Sequence, residues 1–556
     1  MSFFPHARVP RRVHPSLLRG CLLSACVMAG SSAWATQPGS QSDAPTAKTL
    51  SPAQMDQAWQ RSTARYAPER KALLAEVAQG DAIGPFRPDW ISLAQYQAPA
   101  WFGAAKFGIF IHWGVYAVPA FANEWYPRNM YDGTTREHAH QLDTHGPLTH
   151  RGYKDFIAGF KARHWDPAAW ARLFKQAGAR YVVQVAEHSD GFAMYDSRLS
   201  RWTAAQMGPK RDVVAALERA VRAEGLRFGL SSHRAEHDWF FDHGRELASD
   251  VNDPADADFY GPAVPHFVQD GDQDLQQDWT YVSPTYVDDW LARTAELEAY
   301  YRPDLIYLDW WVGHPAFRGA LAEFLAYYYN RGAQRDGVVL NYKLHALPAG
   351  SAVLDVERGQ LGDIRPTPWQ TDTTISNSSW GYVESDSYRS ATSIIQLLAD
   401  VVSKNGNLLL DVGPRPDGTI VPQEQAVLLE IGRWLTTNGA AIYGSHPWRV
   451  SGEGPTAPTT GAFKEQLARP WTADDFRFTR SNKDLLYAIE FGWPADGTVT
   501  IRSIKPTDRV RDVRLLGSST PVRWQSTGQG LVLHVGSRPA GPAAFVYAIR
   551  TATDTP

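Results

Sequence analysis

Between residues 107 and 412 the chain alternates short apolar, β-branched runs with longer stretches in which apolar residues recur at helical spacing. The strand-like runs are 107–111, 181–185, 226–231, 305–308, 338–340, 352–356 and 408–412, and helical segments such as 167–178, 212–224, 286–301, 317–331 and 390–403 lie between them. Sustained alternation of this kind predicts a parallel sheet with crossover helices. Periodicity alone does not separate an open sheet from a closed barrel. The polar residues at the strand ends do: His112, Glu187 with His188, His233, Asp309, Asn341 with Lys343, and Asp355 with Glu357. A (β/α)8 barrel, unlike an open sheet, gathers the C-terminal ends of all its strands around one mouth. No glycine-rich phosphate loop follows the first run, so a nucleotide fold lacks its anchor. A TIM-like (β/α) barrel is therefore expected over 86–450.

From about residue 451 the pattern changes to short alternating strands at 477–478, 485–491, 498–504, 513–516, 531–535 and 544–549, separated by Gly, Pro, Asp and Asn. This predicts an antiparallel β-sandwich over 451–556, packed against the barrel in a structural role. Residues 36–85 read as a Ser/Thr/Ala/Pro-rich linker followed by a helical segment at 52–79. Residues 1–35 read as an export leader: Arg8, Arg11, Arg12 and Arg19 precede an apolar stretch, and Ala33-Trp34-Ala35 fits a small-x-small cleavage site. Leu23-Ser24-Ala25-Cys26 also resembles a lipobox, but Arg19 leaves only a short apolar core before Cys26, so cleavage near Thr36 and a periplasmic or secreted product are expected. No later run reaches the roughly 20 apolar residues of a membrane span.

Composition narrows the function. A net charge of −4 on 556 residues argues against nucleic acid or an anionic membrane as the main partner. The two cysteines, Cys21 and Cys26, both fall in the leader, so disulfide, thiolate-metal and cysteine-nucleophile chemistry are excluded beyond it. Twenty-one tryptophans point toward carbohydrate, whose apolar ring face indoles cover. The stretch Lys106 to Tyr126, KFGIFIHWGVYAVPAFANEWY, concentrates this chemistry: an apolar strand ends in His112-Trp113-Gly114, and Glu124-Trp125-Tyr126 follows.

Two carboxylates are the leading catalytic candidates. Asp309 ends an apolar strand and is followed by Trp310 and Trp311, a setting in which an uncompensated carboxylate is costly. Asp355 and Glu357 share one face of a strand by period-two alternation, so either can serve as general acid. Glu124, Glu187 and Glu384 compete for that role. A retaining glycosidase needs two carboxyl groups about 5–5.5 Å apart, which two strand ends of one barrel can supply. The histidines 138, 140, 145, 150, 233, 237 and 243 show no metal-binding spacing and read as loop residues on a solvated surface, although His233 also closes a strand-like run and stays among the sugar-contact candidates. Lys210-Arg211-Asp212 reads as a helix N-terminus.

With these residues assembled, the chain resembles glycoside hydrolase family 29, the retaining α-L-fucosidases. The resemblance is carried by the stretch Lys106 to Tyr126, HSDGFAMYDS from His188, GPKRDVV from Gly208, PDLIYLD ending at Asp309, SWGY at 379–382 and KNGNLLLDVGPRPDG from Lys404, in family order. It implies an exo-acting hydrolase of terminal α-L-fucose on oligosaccharides or glycoconjugates, without cofactor or metal. By the same resemblance Asp309 is the nucleophile and Glu357 the acid/base. His112, Glu124, Trp125 and His188 are implied to hold the fucose hydroxyls, with Trp310 or Trp311 over the ring's apolar face and exocyclic methyl. Trp113, Ser189, His233 and Lys343 complete the expected sugar contacts. Three positions depart from the family pattern: Ser189 replaces an imidazole, Trp310 replaces a small residue, and Lys343 stands in place of a residue that is often arginine. Two other readings of the same residues are a barrel glycosidase acting on a related sugar such as a galactoside, and a non-catalytic sugar-binding protein.

Overall fold

The computed structural model describes residues 50–267, 275–467, 469–481 and 485–552. The expected leader, its cleavage site and both cysteines lie outside the described residues. Eight parallel strands close into a barrel, each hydrogen-bonded to the next and the eighth to the first. They are β1 Phe107–Ile111, β2 Tyr181–Glu187, β3 Arg227–Ser232, β4 Leu305–Leu308, β5 Val339–Lys343, β6 Val353–Asp355, β7 Trp369–Thr374 and β8 Gly406–Val412. In-register pairing of β1 with both β2 and β8 completes the closure.

Seven of the eight strands follow the apolar runs of the sequence. The eighth, β7, reads Trp-Gln-Thr-Asp-Thr-Thr and carries no apolar run, yet all six residues are buried. Three of its polar side chains are hydrogen-bonded to other barrel strands and the segment after β6, as burial of a polar group requires. Gln370 donates to Asp355 (2.7 Å) and accepts from the Tyr181 hydroxyl (2.8 Å), Thr371 donates to the carbonyls of Val356 and Gly359, and Asp372 accepts from the Tyr307 hydroxyl (2.7 Å). Alongside these polar groups Phe110, Val183, Val185, Leu305, Val339, Val353 and Leu409 form an apolar core, and Phe102 and Ala105 of the helix Ala100–Ala105 join it.

The crossover helices are fixed by sequence-encoded caps. Asp166 accepts from the amides of Ala168 and Ala169 at the start of Pro167–Gln176, and Asp212 accepts from the Ala215 amide at the start of Val213–Ala223. Helix Pro284–Tyr301 is buried along most of its length and carries charges into the core. There Arg293 donates two hydrogen bonds to one Glu187 oxygen (2.6 and 2.9 Å), Arg234 bonds the other (3.0 Å), and Asp289 joins Arg234 to Arg70. Removing one side of a buried pair leaves the other charge uncompensated. Arg293→Ala is therefore expected to lower the unfolding free energy by about 3–5 kcal/mol, measured by urea denaturation. A loss under about 1 kcal/mol would mean that Glu187 is satisfied by Arg234 alone.

Beyond the barrel lie a five-stranded antiparallel sheet in the order β13-β16-β11-β10-β9 and a three-stranded one in the order β12-β15-β14. Their strands are β9 His446–Glu453, β10 Phe476–Arg480, β11 Leu485–Glu490, β12 Thr498–Ile501, β13 Val510–Leu515, β14 Arg523–Thr527, β15 Gly530–His534 and β16 Phe545–Thr551. One apolar core joins both sheets, with Phe476, Phe478, Ile501, Leu531, Tyr547 and Ile549 at its centre. The sheets dock on the barrel through Asp400, which pairs with Lys404 of its own helix (2.6 Å) and Arg477 of β10 (2.5 Å), and through the Trp434 indole on the Ala544 carbonyl (2.8 Å). Among the described residues no helix is long and apolar enough to cross a membrane.

Candidate active site

The C-terminal ends of the barrel strands converge on Lys343, the last residue of β5. Its ammonium lies 3.0 Å from an oxygen of Asp309, 2.5 Å from one of Glu357 and 3.8 Å from one of Asp372. Because Asp309 and Glu357 touch the same nitrogen at 3.0 and 2.5 Å, their nearest oxygens lie at most about 5.5 Å apart. That bound keeps the pair within the separation of about 5–5.5 Å used in retaining glycoside hydrolysis and short of the wider inverting spacing. Asp309 is 9% and Glu357 8% exposed, so each is largely withdrawn from solvent but not sealed.

The two carboxyls respond differently to the surroundings they share around this ammonium. Burial alone would raise Asp309, but Lys343 and the His233 imidazole, which contacts it at 2.8 Å, outweigh burial and hold it well below the usual carboxylate range. For Glu357 burial dominates. Despite Lys343, and with Asp372 and Asp309 adding repulsion, its carboxyl is raised above the usual glutamate range. The two carboxyls are thus pushed in opposite directions, Asp309 toward its ionised form and Glu357 toward its protonated one, the division of labour that acid/base chemistry needs. Asp355 lies deeper on β6, bonded to Gln370, and burial together with Asp372 raises it well above the carboxylate range. Of the two acids that alternation placed on one face, Glu357 is the one in contact with the Lys343 nitrogen shared with Asp309.

Three imidazoles line the facing wall. His112 is fixed by Asp411 of β8 (2.7 Å), His188 stacks on His233 at 4.6 Å between ring centroids, and His112 lies 5.8 and 5.7 Å from the other two. Burial, followed by mutual repulsion with His233 and by Lys343, keeps His112 and His188 well below the usual imidazole range, so they are neutral donors and acceptors suited to sugar hydroxyls. Side-chain nitrogens of the three lie within 4.8 Å of one another, a spacing a metal ion could use. His112 and His233 each have one ring nitrogen, Nδ1, on a carboxylate, Asp411 and Asp309, and the Lys343 charge beside Asp309 opposes a second cation. Glu124 accepts hydrogen bonds from the Ser379 hydroxyl (3.1 Å) and the Trp380 amide (3.0 Å), which holds it as an acceptor.

Several residues proposed from sequence take other places. Trp113 follows His112 on extended backbone and points the opposite way, packing between Phe160, Trp165 and Trp170 with its N–H on the Arg415 carbonyl; it is not presented to the mouth. Trp311 is fully buried and donates to Asp278, whereas Trp310 retains 8% exposure beside Trp239. Trp125 is half-buried against Phe240. Ser189 donates its hydroxyl to the buried Glu236 carboxylate (2.5 Å). The reading of the later histidines as solvated loop residues fails for His233 and His237, which are buried because the loops after β3 fold under an aromatic layer; of the whole set only His150 is exposed.

Glu187 is engaged by two arginines and Glu384 is exposed, so neither is placed to serve as the acid. Sequence reading missed Trp380, which packs on His112 at 5.2 Å under the Arg358 guanidinium, and it missed Asp411 and Glu236. Glu236 is fully buried, lies close to Asp309 and His233, and is raised well above the glutamate range by burial and by Asp309. The density of polar residues in Ser231-Ser232-His233-Arg234-Ala235-Glu236, just past a strand end, was the available signal.

A parallel barrel with a carboxyl pair, neutral imidazoles and indoles at its mouth is the architecture of a glycoside hydrolase. The family profile described as Alpha-L-fucosidase matches residues 73–440, and that described as Alpha-L-fucosidase C-terminal domain matches residues 470–550. The chain is 32% identical over 479 residues to the tissue alpha-L-fucosidase of Rattus norvegicus, covering 84% of this chain and 93% of that protein. It is likewise 32% identical over 476 residues to the tissue alpha-L-fucosidase of Homo sapiens, covering 84% and 91%. The crystal structure of Thermotoga maritima alpha-fucosidase superposes with a TM-score of 0.66 at 28% identity, covering 84% of this chain and all of that one. The chain belongs to the α-L-fucosidase family of glycoside hydrolases.

Proposed function

We propose that the protein is an exported, exo-acting α-L-fucosidase that releases terminal α-L-fucose from oligosaccharides or glycoconjugates with retention. The observation that carries this reading is the contact of Lys343 with both Asp309 and Glu357. Ionised Asp309 attacks the anomeric carbon while protonated Glu357 delivers its proton to the departing glycosidic oxygen. The resulting ester removes the negative charge of Asp309. Glu357 then loses one of the repulsions that keep it protonated, and the nearby Lys343 favours its carboxylate, so it is ready to draw a proton from the attacking water. His112, His188, His233 and Glu124 supply the hydroxyl contacts, and Trp125, Trp310 and Trp380 the apolar face. Export rests on the basic, apolar and small-x-small pattern of residues 1–35.

Proton NMR of the first-formed sugar tests the mechanism. The α-anomer is expected to appear before mutarotation, and initial release of the β-anomer would replace double displacement with inversion. The two pKa directions also set the pH profile of kcat/KM. Activity needs Asp309 ionised, so the acidic limb falls below the usual carboxylate range. It needs Glu357 protonated, so activity is lost as pH rises through a value above the usual glutamate range. Lys343→Met removes the cation that lowers both groups and is expected to move both limbs to higher pH; limbs that stay in place would remove Lys343 from this role.

A further inference from the structure

We propose that residues 461–465, from the connection between β9 and β10 of the five-stranded sheet, form a positioning strap for Glu357. This rests on the reading of Glu357 as acid/base. The strap lies between the two family-matched regions, which end at 440 and begin at 470.

The need for such a strap follows from the barrel itself. Strand β6 is three residues long and ends at Asp355, two residues short of Glu357, with a single registered pair, Asp355 with Gln370, to β7. Past that point the backbone is carried on one side by β7, where the Val356 and Arg358 amides donate to the carbonyls of Gln370 and Asp372 (both 2.9 Å). The strap also binds this segment. The Phe463 amide donates to the carbonyl of Glu357 itself (2.8 Å), the Glu465 amide to that of Arg358 (3.0 Å), and the Gly461 amide to that of Gln360 (2.9 Å). Arg358 sits at a φ of 43°, a left-handed conformation that a non-glycine residue keeps only when its surroundings impose it.

The strap is in turn tied to the barrel. The Glu465 carboxylate accepts from Thr373 of β7 (2.7 Å) and pairs with Arg389, which itself donates to Thr373 (2.9 Å). Contact at the crossing is close enough to require glycine: a Cβ on Gly359 would stand 2.2 Å from the Gly461 carbonyl oxygen and 2.8 Å from its carbon. Chain from beyond the barrel thus fixes the backbone that aims the acid, and small displacements of a catalytic group are costly.

Two variants test this, Gly359→Ala, which pushes the strap off, and Glu465→Ala, which unties it from Thr373 and Arg389. Each is compared with wild type by kcat/KM on a 2,4-dinitrophenyl α-L-fucoside, whose leaving group needs no proton, and on a fucosylated disaccharide, whose leaving group does. The expected result is a loss on the order of 10-fold on the disaccharide with less than about 2-fold on the aryl fucoside. Equal losses on both substrates, or none on either, would overturn the strap. Circular dichroism and thermal unfolding identify a variant that fails to fold, in which case the other decides. Glu357→Ala is run alongside. If it shows no such leaving-group selectivity, the acid/base reading itself fails; if it does while both strap variants match wild type, only the strap fails.

Discussion

Asp309→Ala is expected to lose turnover by a factor on the order of 10⁴ while remaining folded and binding fucose. Such a loss corresponds to about 5.5 kcal/mol of transition-state stabilisation. The size follows from the role proposed for the side chain: a nucleophile that forms the covalent bond has no neighbour able to replace it by proximity alone. The fold tolerates its removal because Lys343 keeps Glu357 and Asp372 as partners, and the cation is not stranded. His233 loses one contact but retains Ser231 at 3.2 Å. Calorimetric titration of fucose separates a chemical defect from a collapsed site. Added azide makes the assignment sharper. With the nucleophile absent, azide enters the vacated face and yields β-L-fucosyl azide from an activated α-fucoside. Near-wild-type turnover, or an α-configured azide product from this variant, removes Asp309 from the role.

Much of this site was legible in the sequence because a parallel barrel writes its mouth at fixed places, the residues just past each apolar run. His112, His188, His233, Asp309, Lys343 and Glu357 all stand there, and closure of the barrel brings them together. What could not be read falls into two kinds. Strand β7 was invisible because its buried face is polar, and apolar periodicity detects burial only where burial is apolar. Trp113 and Ser189 misled because a motif fixes a residue's position along the chain and not the direction of its side chain. Trp113 went outward by simple strand alternation, and Ser189 turned to a buried acid whose place next to it depends on the loop after β3. The strap at 461–465 is a contact between segments about 100 residues apart, and no local pattern announces it. Glu124 and Glu187, both plausible acids on sequence grounds, were separated from Glu357 only by their partners: an amide and a hydroxyl for one, two arginines for the other.

Glu357→Ala is the variant in which these arguments meet. Removing a general acid costs about 10²–10⁴-fold where the leaving group needs a proton and little where it does not. The fucosylated disaccharide should therefore lose most of its kcat/KM and the dinitrophenyl fucoside almost none. Turnover of the activated substrate should nevertheless slow, because hydrolysis of the ester needs the same residue as base, and a burst of dinitrophenolate equal to the enzyme concentration should precede the slow phase. Azide needs no base. It should relieve the block and, attacking from the face that water uses, give α-L-fucosyl azide, the opposite anomer to that from Asp309→Ala. The nearest rival for the role is Glu236, which is also raised and close to Asp309. Its carboxyl is fully buried and engaged by Ser189, whereas Glu357 keeps 8% exposure and is the better placed to meet a leaving group. Were Glu236 the acid, Glu357→Ala would show neither leaving-group selectivity nor azide rescue, and Glu236→Ala would show both.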